Sequence, residues 1–245
     1  MAELSLLGDR LRLMTPARIR LGRSGSALPT AALLSLDRDH SRARDAVHAE
    51  LSDQNLLASV GRPVIQVRSR AGDRPTYIRR PDLGRLLEEG DEALLRPTGD
   101  TLAIVVADGL SAPAVETHAA PVVTAILERL EDWSIAPLVI ARNARVALGD
   151  EIGGRLGVDL VVVLIGERPG LSAPDSLGAY LTWSPCPGRH DNERNCVSNI
   201  RPPDGLDYNS AADVITRLLR AARARRETGV ALKDASTSRL NSGNT

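Results

Sequence analysis

The stretch GERPGLSAPDSLGAYLTW, residues 166 to 183, directly follows the most apolar run of the chain and gathers acids, a base, prolines and glycines. Glu167 there stands where a carboxylate can accept hydrogen bonds from a ligand's N–H or O–H groups, with Gly166 and Gly170 flanking a rigid proline. The alternative is that Glu167 pairs internally with Arg168 or Arg194 and serves only the fold. In ADGLSA, Asp108 could bind a hydroxyl or an amide while Gly109 admits a ligand close to the backbone; a plain capping turn explains the same residues. Cys186, His190 and Cys196 invite a zinc reading, but they include no C-x-x-C pair and a fourth ligand would be arbitrary. Packing as small hydrophobes explains the cysteines as well.

Several chemistries are absent. No G-x-G-x-x-G follows an apolar run, and neither Ser111 nor Ser172 lies in G-x-S-x-G. The only lysine is Lys233, so a phosphate loop ending in Gly-Lys-Ser/Thr cannot be built, and a Schiff base would have to form in a polar tail. The residues alone therefore describe a ligand-binding α/β domain without an evident catalytic constellation. Such a domain is a binding module or a subunit whose chemistry is completed elsewhere.

The elements that must position these residues follow from hydrophobic periodicity. LPTAALLSLDRDHSRARDAVHAEL places Leu33, Leu36, His40, Ala43 and Val47 on one helical face. VIQVRS is a short strand, and Pro81 before Asp82 marks a helix start. From Asp100 onward strand and helix alternate: TLAIVVADG, then a helix capped by Ser111 that Pro121 should kink or restart, then APLVIAR, GDEIGGRLG and VDLVVVLIG. AYLTW is a further strand, and NSAADVITRLLRAARARRETG is a last helix, with Ser210 and Asp213 as a capping box and Gly229 as its stop. Strands apolar on both faces and separated by helices predict an α/β fold. Its mostly parallel, Rossmann-like sheet carries helices on both faces and is preceded by a smaller, mainly helical N-terminal region. The boundaries expected are 1–97 for that region and 98–245 for the sheet domain. Ligands of such sheets collect beyond the carboxyl ends of the strands. That selects ADGLSAP, ARNARVALGD and IGERPGLSAPDS, with SPCPGRHDNERNCVSNIRP as a fourth loop.

Composition narrows the partners. Lys plus Arg and Asp plus Glu each number 31, and aromatics are 2% with no Phe, so neither the basic excess nor the stacking platforms of a nucleic-acid binder are present. No run reaches the roughly 18 apolar residues of a membrane span, and the start lacks the order of a secretory signal, so a cytoplasmic chain is expected.

Four stretches taken together, TPARIRLGRSGSALPT, YIRRPDLGR, ADGLSA and GERPGLSAPDSLGAYLTWSP with its later ERNCVSNIRP, resemble the small (light) subunit of ethanolamine ammonia-lyase, in that family's order and across Thr15 to Leu219. The resemblance implies a subunit of a carbon–nitrogen lyase that turns ethanolamine into acetaldehyde and ammonia by radical chemistry beginning with cleavage of the cobalt–carbon bond of adenosylcobalamin. It implies a hetero-oligomer in which a TIM-barrel large subunit carries the catalytic side chains and the cobalamin lies at the interface. This chain alone would be inactive. Val146 in ARVALGDEIG, Glu167 in GERPG and Cys196 in RNCVSNI match the family's cobalamin-contacting positions. Glu167 would accept from a corrin amide or a ribose hydroxyl, while Val146 and Cys196 supply packing and backbone contacts. Arg18, Arg20, Arg23, Arg79 and Arg80 are candidates for the large-subunit interface.

Cobalamin domains that place a protein imidazole on cobalt use Asp-x-His-x-x-Gly. None of His40, His48, His118 and His190 has Asp two residues before it, so the cofactor's own base is expected to stay on cobalt. Some family members carry a longer N-terminal extension linked to packaging in a bacterial microcompartment. Here ELSLLGDRLRLM can form a short amphipathic helix, as a packing signal or as a helix docked on a subunit. The alternative from another class is a non-catalytic cobalamin- or nucleotide-binding regulatory module.

Overall fold

The computed structural model describes residues 10–15, 17–19, 21–52 and 56–232. Its centre is a six-stranded sheet built from β1 (Val64–Arg68), β2 (Leu102–Ala107), β3 (Leu138–Arg142), β4 (Leu160–Gly166), β5 (Leu177–Trp183) and β6 (Arg194–Ile200), in the order β1-β3-β2-β4-β5-β6. The first four in that order run parallel, while β5 is antiparallel to β4 and β6 antiparallel to β5. The α/β class and the mostly parallel sheet thus match the expectation. β1, from the N-terminal region, is the edge strand beside β3.

β2 and β4, LAIVVA and LVVVLIG, are buried at every position, as β-branched residues between two helical layers should be. Side-chain alternation sends Leu102, Ile104, Val106, Val162 and Leu164 to one face, and Ala103, Val105, Val161, Val163 and Ile165 to the other. The first face is covered by α3 (Ala112–Leu127) and α5 (Tyr208–Arg225), after α1 (Thr30–His48) and α2 (Arg74–Arg79) have been laid down in the N-terminal region. The second face is covered by α4 (Leu148–Leu156), through Leu148, Ile152 and Leu156, with Leu87 and Leu95 beside them. Each fully buried Leu, Ile or Val contributes roughly 1.5–3 kcal/mol, so both layers matter to stability.

Four local expectations change. α3 runs through Pro121 without interruption. The cap of α5 is Asp207, which accepts from Ser210 N at 2.9 Å, and the helix ends at Arg225 with Arg226 in the left-handed region, well before Gly229. α1 buries Ala43 and Ala46 but leaves Leu33 46% exposed, and His40 is exposed, so only the C-terminal half of the expected stripe faces the molecule. Finally, NERNCVSNI is not a loop. Its polar residues form β6, and because β5 is antiparallel, Ser184 sits at the amino ends of the parallel strands, where its N–H donates to Asp159 O at 2.7 Å.

Candidate functional site

The loop from β3 to α4 carries Val146, and a set of buried polar groups fixes its path. Asp108, at the end of β2, accepts from Asn143 N at 2.8 Å and Ala144 N at 3.0 Å. Arg74 lies 3.5 Å from the same carboxylate and donates to Gly109 O at 2.9 Å and to Val47 O at 2.8 Å. Burial alone pushes the Asp108 carboxyl above the ordinary value, and the two backbone N–H groups and Arg74 act in the opposite direction. Tyr77, fully buried, donates its hydroxyl to Ala144 O at 3.0 Å, and its ring carries Arg145 with the guanidinium carbon 4.4 Å from the centroid. Arg145 N donates to Gly84 O at 2.8 Å, and a Cβ at Gly84 would stand 3.0 Å or less from both Arg145 and Tyr77. YIRRPDLGR is therefore the support on which the Val146 loop rests. Asp108 is a clamp on that loop and its side chain is not offered to a ligand. Gly109 and Gly166 are small because their backbones meet: a Cβ on Gly109 would lie 2.2 Å from Gly166 O.

Glu167 turns back over the sheet, above Gly178, where a Cβ would come within 2.9 Å of its Oε1. The internal partners are neither Arg168 nor Arg194. The carboxylate accepts from the hydroxyls of Ser176 and Ser198 and from Asn199 N at 3.2 Å. Asn199 is free to donate because β6 slips register against β5 between Leu177 and Ala179, with Asn199 in the left-handed region at φ 60°. An ionised carboxylate offers about four lone-pair sites, so three internal donors leave about one for a ligand.

The rest of ERNCVSNIRP has equally definite work. Arg194 enters a buried two-point pair with Asp150 of α4, at 2.5 and 2.7 Å, and donates to Thr182 Oγ1. The Asn195 amide donates to Gly229 O and Leu232 O, and its Oδ1 accepts from Gly229 N. Cys196 lies within β6, directly opposite Tyr180 of β5. It was expected in a loop at the carboxyl rim; the pairing puts it on a strand instead. Cys196 is exposed on this edge strand, and partial desolvation of its thiol, with the nearby charge of Glu167, raises its pKa above the ordinary value, away from the thiolate a nucleophile needs.

Val146 and Glu167 line one cleft of about 390 Å³, together with Tyr77, Leu110, Arg145 and Tyr180. A second cleft of about 280 Å³ shares Val146 and Arg145 and is closed by Arg189, His190 and Arg194. A third, of about 590 Å³, shares Leu110, Arg145 and Arg168 with the first. Cys196 stands one strand further out, behind Tyr180. Ser111 is fully buried, accepting from Ala114 N and donating to Pro174 O, which leaves it no nucleophilic role. Among the described residues, no group of three or more His, Cys, Asp or Glu is gathered as a metal requires, and no helix is long and apolar enough to cross a membrane. Arg18 pairs with Asp39 and Arg80 with Asp82, both near the surface. Arg20, Lys233 and most of ELSLLGDRLRLM lie outside the described residues.

The family model of the ethanolamine ammonia-lyase light chain matches residues 8–233. The chain belongs to that light-chain family. Ethanolamine ammonia-lyase small subunits of Bradyrhizobium diazoefficiens and Rhodopseudomonas palustris are 56% and 55% identical to it, over 94% and 91% of this chain and 91% and 88% of their own lengths. That of Ralstonia nicotianae is 48% identical over 92% of this chain and 87% of its own. Within this light-chain fold, reasoning from residues alone missed Arg145, Tyr180, Ser198 and Asn199. Arg145 had a signal in its neighbour Val146; the other three needed the antiparallel pairing of β5 and β6.

Proposed function

We propose that this chain is the small subunit of an adenosylcobalamin-dependent ethanolamine ammonia-lyase and that its groove grips part of the cofactor against a large subunit. The observation that carries this reading is the convergence of Val146 and Glu167 on one open cleft, with Cys196 behind its wall at Tyr180. The lining suits an amide-fringed, amphipathic ligand: apolar area from Val146, Leu110 and Tyr180, with few polar groups of fixed direction. Three adjoining basins, each no larger than a site for a drug-sized molecule, suit partial enclosure of something bigger, completed by a second polypeptide.

When bound, the cofactor supplies the radical chemistry that turns ethanolamine into acetaldehyde and ammonia. The residues of this chain bind and orient. Glu167 holds its one remaining acceptor site toward a ligand N–H or O–H, locked by Ser176, Ser198 and Asn199. Val146 presents an apolar edge whose position is set through Asn143 and Ala144 by Asp108. Tyr180 and Cys196 extend the wall. No histidine of this chain is assigned to cobalt: His118 Nδ1 lies 2.9 Å from the Tyr208 hydroxyl, and His190 caps the turn closed by Glu193.

Co-expression with a barrel-type large subunit tests the proposal. A co-eluting complex that carries the cobalamin visible spectrum and releases acetaldehyde only when ethanolamine is present supports it. A chain that binds a corrinoid without any partner dependence, or a complex with no corrinoid at all, contradicts it.

A further inference from the structure

Among the described residues, four arginines have a buried side-chain nitrogen without a hydrogen-bond partner, and three of them still answer to a carboxylate: Arg74 to Asp108, Arg194 to Asp150, and Arg201 to Asp175 and Asp204. Arg145 differs. Its Nε is buried without a partner, no ion pair joins it to any described residue, and only the face of Tyr77 holds its guanidinium. A half-buried guanidinium whose Nε has no acceptor thus stands at the groove wall with its charge unopposed, and an anion arriving there would supply both the acceptor and the counter-charge. The surroundings agree. Arg145 lines all three clefts, and the largest of them is also lined by Arg168, Arg44, His48 and His40 and by no acidic residue. Leu110, Leu171 and Pro169 give the same cleft an apolar floor. Acidic neighbours lie only in the adjoining basins: Glu167, whose carboxylate is engaged by three donors, and Asp191.

The cleft is therefore built for an anion attached to an apolar body. Arg145 is also preset, since its backbone is tied to Gly84 and the preceding residues to Asp108, so little ordering is needed on binding. Adenosylcobalamin bears one such group, the phosphodiester that joins its nucleotide tail to the corrin. We propose that Arg145, with Arg168 as the second cation of the cleft, seats that phosphodiester; this rests on the cofactor-binding reading above.

The test compares two ligands on the assembled complex of both subunits. Adenosylcobinamide keeps the corrin and cobalt but lacks the phosphodiester and base, and binding is read from corrin absorbance in the retained fraction after ultrafiltration. Arg145→Gln should weaken adenosylcobalamin about ten- to hundredfold, the effect of losing a charge-assisted pair, and leave adenosylcobinamide unchanged. Arg145→Lys should recover part of the loss. Thermal melting and co-elution report folding; should Arg145→Gln fail to assemble, Arg168→Gln, on an exposed residue, carries the same comparison with a smaller selective loss. An equal loss for both ligands, or none, overturns the inference while leaving cofactor binding intact. Inorganic phosphate distinguishes a free-anion site: if phosphate binding depends on Arg145 and adenosylcobalamin binding does not, the tail assignment is wrong. A wild-type complex that retains neither corrinoid overturns this inference and the parent reading together.

Discussion

Under α3 and α5 the sheet meets hydrocarbon: Ile104, Val115, Ile126, Ile215 and Leu219 are all fully buried. Under α4 it meets one short helix, a buried Asp150–Arg194 pair, a buried Asp108–Arg74 cluster at the rim, and then open groove. The two faces divide the work. Apolar packing has little direction, so it stabilises without specifying where any polar atom points. A charge pair with fixed geometry contributes uncertain net stability, but it holds a loop or strand in one place. The side of the molecule that must present Val146, Glu167 and Arg145 in set positions is the side where the charges are buried.

Removing a clamp is the harshest way to break this contrast. Asp150→Ala leaves Arg194 buried without its carboxylate and should cost about 3–5 kcal/mol, read as a lower denaturant midpoint at unchanged slope. A loss below about 1 kcal/mol would mean the pair is not what joins α4 to β6. A milder probe is Glu167→Gln, which keeps the shape and most internal bonds, since the Ser176 and Ser198 hydroxyls can rotate to suit. It should weaken cofactor binding to the two-subunit complex about tenfold, with Cys196→Ser close to wild type. Unchanged affinity for Glu167→Gln would remove Glu167 from the site.

The smallest effect belongs to the sealed face. His118 of α3 is buried against Tyr208 of α5, and desolvation holds its pKa below the ordinary 6.5, with Asp175 opposing. The unfolded chain therefore takes up a proton first as pH falls, so this contribution is complete above about 6.5 and is lost as pH drops toward the depressed folded value. The slope is at most about 1.4 kcal/mol per pH unit. His118→Gln should flatten that part of the stability curve between pH 7.5 and 5.5 by urea unfolding; an identical slope in both proteins would contradict it.

How far the sequence revealed this division depends on the kind of interaction. β2, β3 and β4 were legible because double burial leaves unbroken apolar runs, and AYLTW because its β-branched and aromatic residues mark a strand. β6 was not. RNCVSNI carries polar residues on both of its faces, each recruited by something distant: Arg194 by α4, Asn195 by the C-terminal turn, Ser198 and Asn199 by Glu167. Periodicity cannot express such long-range demands. For the same reason Leu33 and Leu36 announced a helix but not how much of its face would dock. At the site, Glu167 was visible as an acid at a strand end, but its three internal donors and the ring beneath Arg145 follow from topology alone.

The most direct test of the account is amide hydrogen exchange on the complex of both subunits, with and without adenosylcobalamin. Cofactor-dependent protection should fall on the β3–α4 loop around Arg145 and Val146, on Glu167 and Arg168, and on β6 near Cys196, while α3 and α5 stay unchanged. Protection confined to the α3–α5 face, or absent from the groove of a complex that holds the cofactor, would contradict it.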